Sequence, residues 1–167
     1  MQGVIYLAGG CFWGVQGYFD RLWGIQATSV GYANSKIPNP SYALVCSGES
    51  GAVECVEVKF ESAQISLEEL LERFFSIIDP TALNRQGNDI GTQYRSGIYA
   101  NSPSILEATR TFIQKLQKHY PSLIQTEVKE LQNYYLAEDY HQKYLQKNPQ
   151  GYCHIDLSQA QKPIKKI

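Results

Sequence analysis

Residues 3–24 read GVIYLAGGCFWGVQGYFDRLWG, and the order of features in this stretch decides the fold. Residues 3–8 form a short apolar run of strand length. Gly9 and Gly10 break it. The apolar residues Phe12, Val15, Phe19, Leu22 and Trp23 then recur at helical spacing over residues 12–23, and Gly24 supplies a stop. Cys11 stands at the turn, between the glycines and the helix.

The rest of the chain repeats this alternation. Residues 25–32 read as a strand, and residues 33–51, rich in Gly, Pro, Asn and Ser, as a long loop of the kind that usually carries function. Residues 52–60 (AVECVEVKF) are a strand. Ser66 and Glu69 form a capping box that opens a helix with Leu67, Leu70, Leu71, Phe74, Phe75 and Ile78 on one face, ended by Pro80. A polar loop over 81–95 and a strand over 96–100 follow. Ser102-Pro103 starts a helix with Ile105, Ala108, Phe112, Ile113 and Leu116 on one face. A strand over 122–129, a short helix over 137–147 and a closing loop over 148–157 complete the pattern. The order predicts an α/β (α+β) two-layer sandwich, with a single catalytic domain over residues 1–157. The last stretch, SQAQKPIKKI (158–167), reads as a loose polar tail.

Composition narrows the function classes. The chain has 167 residues, 43% apolar and 19% charged, with a formal net charge of −1. This is a soluble globular balance with no general attraction to nucleic acid or an anionic membrane. Lys162, Lys165 and Lys166 read as a solvated end. No stretch approaches the roughly 20 apolar residues of a spanning helix. The start of the chain has no basic segment of a secretory signal. The four cysteines (Cys11, Cys46, Cys55 and Cys153) match no disulfide framework, and the histidines are not at zinc-ligand spacing. The expectation is no metal, and free or catalytic thiols in a reducing compartment, the cytoplasm.

Cys11 is the first candidate for chemistry. The free amides of a helix start stabilise a thiolate, so its pKa is expected to fall. Phe12 and Trp13 either wall an apolar pocket beside it or enter the core. On the strand 52–60, alternation places Glu54 with Ala52, Val56, Val58 and Phe60, on the apolar face. Desolvation there should raise its pKa and suit it to general acid work. The loops hold Tyr32, Tyr42, Asp89 and Tyr94. Tyrosine hydroxyls can donate to a polar oxygen without adding charge, whereas Asp89 serves equally well as a turn residue. Cys153 follows Gly151 in a segment free to move, where a second thiol can resolve an oxidised first one. Cys46 and Cys55 are weaker candidates, and Cys55 reads as structural.

These residues resemble the peptide methionine sulfoxide reductase A family. The matching motifs are Gly10 to Gly14, Val30 to Ala33, Pro40 to Tyr42, Cys46 to Gly48, Glu54, Asp79-Pro80, Arg85 to Asp89, Gly91 to Ser96, Glu138 to His141 and Gly151 to Cys153. They run in unbroken order from about residue 4 to residue 157. The resemblance implies a mixed sheet with a ferredoxin-like core and long functional loops. It implies a thioredoxin-dependent peptide-methionine (S)-S-oxide reductase that repairs oxidised protein or peptide and free methionine sulfoxide. Cys11 is then the nucleophile and Glu54 the acid. Tyr42 and Tyr94 hold the sulfoxide oxygen, Asp89 supports the site, and Phe12 and Trp13 contact the methyl group. Cys153 forms a disulfide with Cys11 that thioredoxin, or a dithiol in vitro, reduces. No cofactor is implied, and a monomer is expected. Ala52, Ile78 and Gln16 stand where the family commonly has histidine, histidine and glutamate.

Other classes fit less well. A cysteine phosphatase needs an arginine near position 17, which is Gly. A cysteine protease needs a histidine base, and no local signature marks His119, His141 or His154 as one. A non-catalytic binding domain would function without the Cys11 thiol.

Overall fold

The computed structural model describes residues 2–164. Residues 2–8 and 12–19 form β1 (Gln2–Ala8) and α1 (Phe12–Phe19). These are followed by β2 (Ile25–Ala33), α2 (Tyr42–Ser47), β3 (Val53–Glu61) and α3 (Leu67–Ser76). The short strands β4 (Arg85–Gln86) and β5 (Asp89–Ile90) make a hairpin. Then come β6 (Gly97–Ala100), α4 (Pro103–Gln117), β7 (Glu127–Glu130), β8 (Tyr134–Leu136) and α5 (Tyr144–Lys147).

Six strands pair in the order β7-β6-β1-β3-β2-β8. β6, β1, β3 and β2 are antiparallel neighbours with the strand order of a ferredoxin-like core. β7 pairs parallel to β6, which α4 makes possible as a crossover, and β8 adds antiparallel to β2. The sheet is therefore mixed. One face carries Ile5, Leu7, Val30, Val56, Val58 and Ile98 into a core shared with the helices. The other carries Tyr6, Ala8, Ala33, Val53, Cys55 and Tyr99, with Leu131 and Tyr134 packed against them. Phe, Tyr, Leu, Ile, Val and Ala fill the interior, together with Cys11 and Cys55.

Several elements differ from the sequence expectation. α1 ends at Phe19, not Trp23. Arg21 and Leu22 donate to Tyr18 and Phe19, tightening the exit so that Gly24 (φ +92) can turn the chain into β2. Trp23 is left 78% exposed. The loop 33–51 contains α2, capped where the Ser41 hydroxyl accepts the Leu44 N–H at 3.2 Å. The predicted strand 122–129 contracts to β7, and the Gln125 N–H ahead of it donates to the Pro80 carbonyl. β8 is unforeseen. The predicted helix 137–147 breaks into a 3-10 turn (Asp139–His141) and α5. Its break has a cause: the Gln142 amide bonds both the N–H and the carbonyl of Val30, replacing a strand partner, and Lys143 takes φ +53.

Where composition predicts a loose tail, residues 157–161 form a 3-10 helix with Ala160 buried. Asp156 caps it, and the Arg73 guanidinium donates to the carbonyls of Ala160 and Lys162. Lys165 and Lys166 of that tail lie outside the described residues.

Gly31 sets how closely β8 approaches. A Cβ there would collide with the Tyr134 ring and lie 2.6 Å from the Tyr135 carbonyl. Gly31→Ala is expected to destabilise the protein by about 1–3 kcal/mol in urea unfolding, although alanine suits a strand better than glycine. Unchanged stability would show that β8 does not seat at this register.

Candidate active site

The site forms where the C-terminal end of β1 turns into α1. Gly10 has φ +87, and a Cβ there would lie 2.7 Å from Gln86 Cβ, so only glycine suits the turn. Cys11 is the N-cap residue of α1. Two first-turn amides are committed here. The Phe12 N–H donates to Glu54 Oε1 at 3.3 Å, and the Trp13 N–H bonds the Cys11 thiol.

The expected fall in the Cys11 pKa is corrected by the structure. The thiol is 8% exposed, and its pKa is pushed up by burial first and then by the Glu54 carboxylate, with Asp89 and Cys153 adding. The Trp13 N–H opposes this and loses. The helix-start effect is real in sign, but desolvation is larger.

Glu54 behaves as expected. It sits on β3 opposite Tyr32 and is 1% exposed. Burial pushes its pKa up to about 8, with Asp89 adding and the Phe12 N–H opposing. Its Oε2 is buried with no hydrogen-bond partner among the described residues. A carboxyl in this state is neutral at pH 7 and no longer opposes a Cys11 thiolate.

The structure brings the two tyrosines to the same place. Tyr42 begins α2, and its N–H donates to Glu138 Oε2 at 3.0 Å. The Tyr32 hydroxyl donates to the other oxygen of Glu138 at 2.7 Å. Burial is the largest single effect on Glu138 and opposes its charge, but its own N–H, these two donors and His141 together hold the carboxyl low. The hydroxyls of Tyr42 and Tyr94 are hydrogen-bonded, both pKa values are pushed up by burial, and both feel Glu54. They therefore stay protonated as donors. Asp89, on β5, accepts the Tyr152 hydroxyl at 3.0 Å and ties the 81–95 loop to the Cys153 segment.

Phe12 and Trp13 separate. Phe12 is 1% exposed and lies between the rings of Tyr32 and His141. Trp13 is half-buried, stacks on Tyr144 with centroids 3.7 Å apart, and donates to His141 Nδ1 at 3.0 Å. Cys153 is partly buried, donating to the Ile155 carbonyl at 3.1 Å, and all four cysteines are free thiols. Cys46 is exposed beside Tyr42, and Cys55 is buried in the second core.

Sequence reasoning quoted Glu138 to His141 as a matching motif but gave Glu138 no role as the anchor of Tyr42, and weighed His141 for a role only as a protease base. His141 is 1% exposed, and burial lowers its pKa. Nδ1 accepts from Trp13, so Nε2 carries the hydrogen, and Nε2 is buried without a partner among the described residues. The available signal was the run Glu138-Asp139-Tyr140-His141, polar and aromatic where a helix stripe was sought. Among the described residues no group of three or more His, Cys, Asp or Glu is placed to hold a metal, and no helix is long and apolar enough to cross a membrane.

The proton on Glu54 links to folding. Its pKa rises from 4.5 to about 8, so stability fully present below about pH 4.5 is lost as pH rises toward 8. Glu54→Gln should lack this decline. Urea midpoints measured across that window are expected to fall more for the wild type than for Glu54→Gln; parallel profiles would contradict the buried neutral carboxyl.

The family model for peptide methionine sulfoxide reductase matches residues 3–167. Peptide methionine sulfoxide reductase MsrA of Mycoplasma genitalium is 58% identical over 151 residues, covering 90% of this chain and 96% of that protein. Mxr1 from Saccharomyces cerevisiae in reduced form is 40% identical with a TM-score of 0.85, covering 91% of this chain and 88% of that one. Mxr1 in complex with Trx2 matches at 26% identity and a TM-score of 0.60, covering 86% and 84%.

Proposed function

Because the chain belongs to the peptide methionine sulfoxide reductase A family of oxidoreductases, we propose that it reduces the S epimer of methionine sulfoxide, in peptides or free, through Cys11 and Glu54. The observation that carries this reading is Glu54: a buried carboxyl, neutral at pH 7, on the amide next to the Cys11 thiol.

The Cys11 thiol gives its proton to solvent, and the resulting thiolate attacks the sulfoxide sulfur. Glu54 gives its proton to the sulfoxide oxygen, and the Tyr42 and Tyr94 hydroxyls stabilise the charge that develops there. Proton transfer makes the sulfur more electrophilic and removes the Glu54 proton only when the substrate oxygen can take it. The oxygen passes to the Cys11 sulfur, methionine leaves, and Glu54 regains a proton from solvent. Phe12 and Trp13 offer the methyl group an apolar wall, and Asp89 holds the neighbouring loop through Tyr152.

Cys11 is left as a sulfenic acid. Cys153 attacks it, releasing water and forming the disulfide. Thioredoxin then reduces that disulfide by exchange, a partner suggested by the Mxr1 complex with Trx2. No cofactor enters the scheme. It calls for a thiol-reducing compartment, and the cytoplasm is the proposed location. All the named groups lie in one chain, so a monomer suffices.

Mass spectrometry of a methionine sulfoxide peptide tests the reading. The wild type is expected to remove one oxygen, and Cys11→Ser none; turnover by Cys11→Ser would sink the assignment. Cys153→Ser should complete one turnover and stop with thioredoxin as sole reductant, whereas sustained turnover would remove Cys153 from the scheme.

The single-turnover rate should stop rising and reach a flat limb above about pH 8, because each further gain in Cys11 thiolate is offset by loss of the Glu54 proton. Glu54→Gln is expected to be slower by roughly a hundredfold or more and to lack that limb. Stopped-flow rates that keep the limb in Glu54→Gln would assign it to another group.

A further inference from the structure

The segment that carries Cys153 is docked on glycines. A Cβ at Gly14 would lie 3.2 Å from Cys153 Sγ and Ile155 Cδ1, and 3.4 Å from His154 Cε1. A Cβ at Gly10 would lie 3.0 Å from His154 Nε2. The segment thus occupies the room that two absent side chains leave. His154 adds a polar tie, with Nε2 at 3.0 Å from the Gly9 carbonyl. A carbonyl can only accept, so Nε2 carries the hydrogen and donates it. His154 Nδ1 is then the lone-pair nitrogen, and it is buried with no partner among the described residues. Leaving a buried acceptor unsatisfied costs free energy, so the seat of this ring must be held by its other contacts.

Position explains what the tie achieves. Cys11 and Gly14 are three residues apart at the start of α1, and residues so spaced are neighbours on one helix face. The Cys153 thiol, pressed against Gly14, therefore waits one helical turn from Cys11. Its present hydrogen bond to the Ile155 carbonyl must break before it can bond Cys11. We propose that His154 is a positioning residue for recycling: its bond to the Gly9 carbonyl and its seat on Gly10 and Gly14 hold Cys153 within reach of the Cys11 sulfenic acid. This rests on the reading that Cys11 and Cys153 form the recycling disulfide.

In that step the Cys153 sulfur attacks the sulfenic sulfur of Cys11. An S–S bond forms and the S–O bond breaks. The hydroxyl leaves as water with the hydrogen of the Cys153 thiol, and no outside oxidant is consumed. Holding the attacking thiol near its target raises its effective concentration without changing its chemistry.

The test is a rapid-quench experiment with full-length protein, one equivalent of methionine sulfoxide peptide and no reductant. Peptide product, dimedone-captured sulfenic acid and disulfide are each measured by mass. His154→Leu is expected to form methionine at the wild-type rate, but to form disulfide roughly fivefold to tenfold more slowly, with more dimedone adduct on Cys11. His154→Gln, which keeps an N–H donor at similar reach, should restore most of the disulfide rate. Disulfide formation at the wild-type rate in His154→Leu would overturn the proposal, and so would a His154→Gln variant as slow as His154→Leu. Should His154→Leu fail to fold, Gly14→Ala decides. Its added methyl favours the helix yet intrudes on Cys153, so slow disulfide formation is expected and a wild-type rate overturns the docking. Cys153→Ser, run alongside, separates the two levels: an intramolecular disulfide at wild-type yield without Cys153 sinks the recycling reading itself.

Discussion

A carboxyl group kept from water organises this structure. Glu54 lies on a central strand, 1% exposed, and one of its oxygens takes the N–H of Phe12 from the first turn of α1. That bond joins the sheet to the helix at the point where Cys11 sits. Charge on Glu54 would push up the pKa values of Cys11, Tyr32, Tyr42, Tyr94 and Cys46 together. Keeping Glu54 neutral therefore sets the electrostatics of the whole site, and the proposed chemistry draws on the proton it holds. The rest of the fold encloses it. β2 pairs along its strand, α1 covers it, and the two long loops bring the tyrosines over it.

Much of this was legible because burial and period leave strong marks. β1, β3, α3 and α4 follow from apolar runs, a capping Ser66, and Ser102 before Pro103. The misreadings trace to contacts that no local pattern encodes. Gln142 bonds Val30 as a strand would, and so stops a helix that the sequence pattern favours. β8 is three residues long and depends on Gly31 for its approach, a close contact that no periodicity encodes. The 3-10 helix after Asp156 is polar in composition, yet Arg73, distant in sequence, holds its carbonyls.

The site divides in the same way. Alternation on β3 put Glu54 on the apolar face, and a raised pKa followed from that placement alone. The pKa of Cys11 went the other way, because a local rule about helix starts competes with burial, and burial depends on contacts made far along the chain. Glu138 illustrates the remaining gap. Its two oxygens join Tyr32 on β2 to Tyr42 on α2, and only the fold brings those residues to one carboxylate.

The composition of the core has a chemical side. Its buried apolar positions are held by aromatic, branched aliphatic and alanine side chains with Cys11 and Cys55, and the chain's one methionine is Met1. Oxidation turns a methionine into a polar, chiral sulfoxide that disrupts apolar packing. Oxidants that create substrate for this enzyme family thus find no thioether among the described residues to convert. Its interior resists the kind of damage that its relatives are named for reversing, so folding stability and demand for the activity need not decline together.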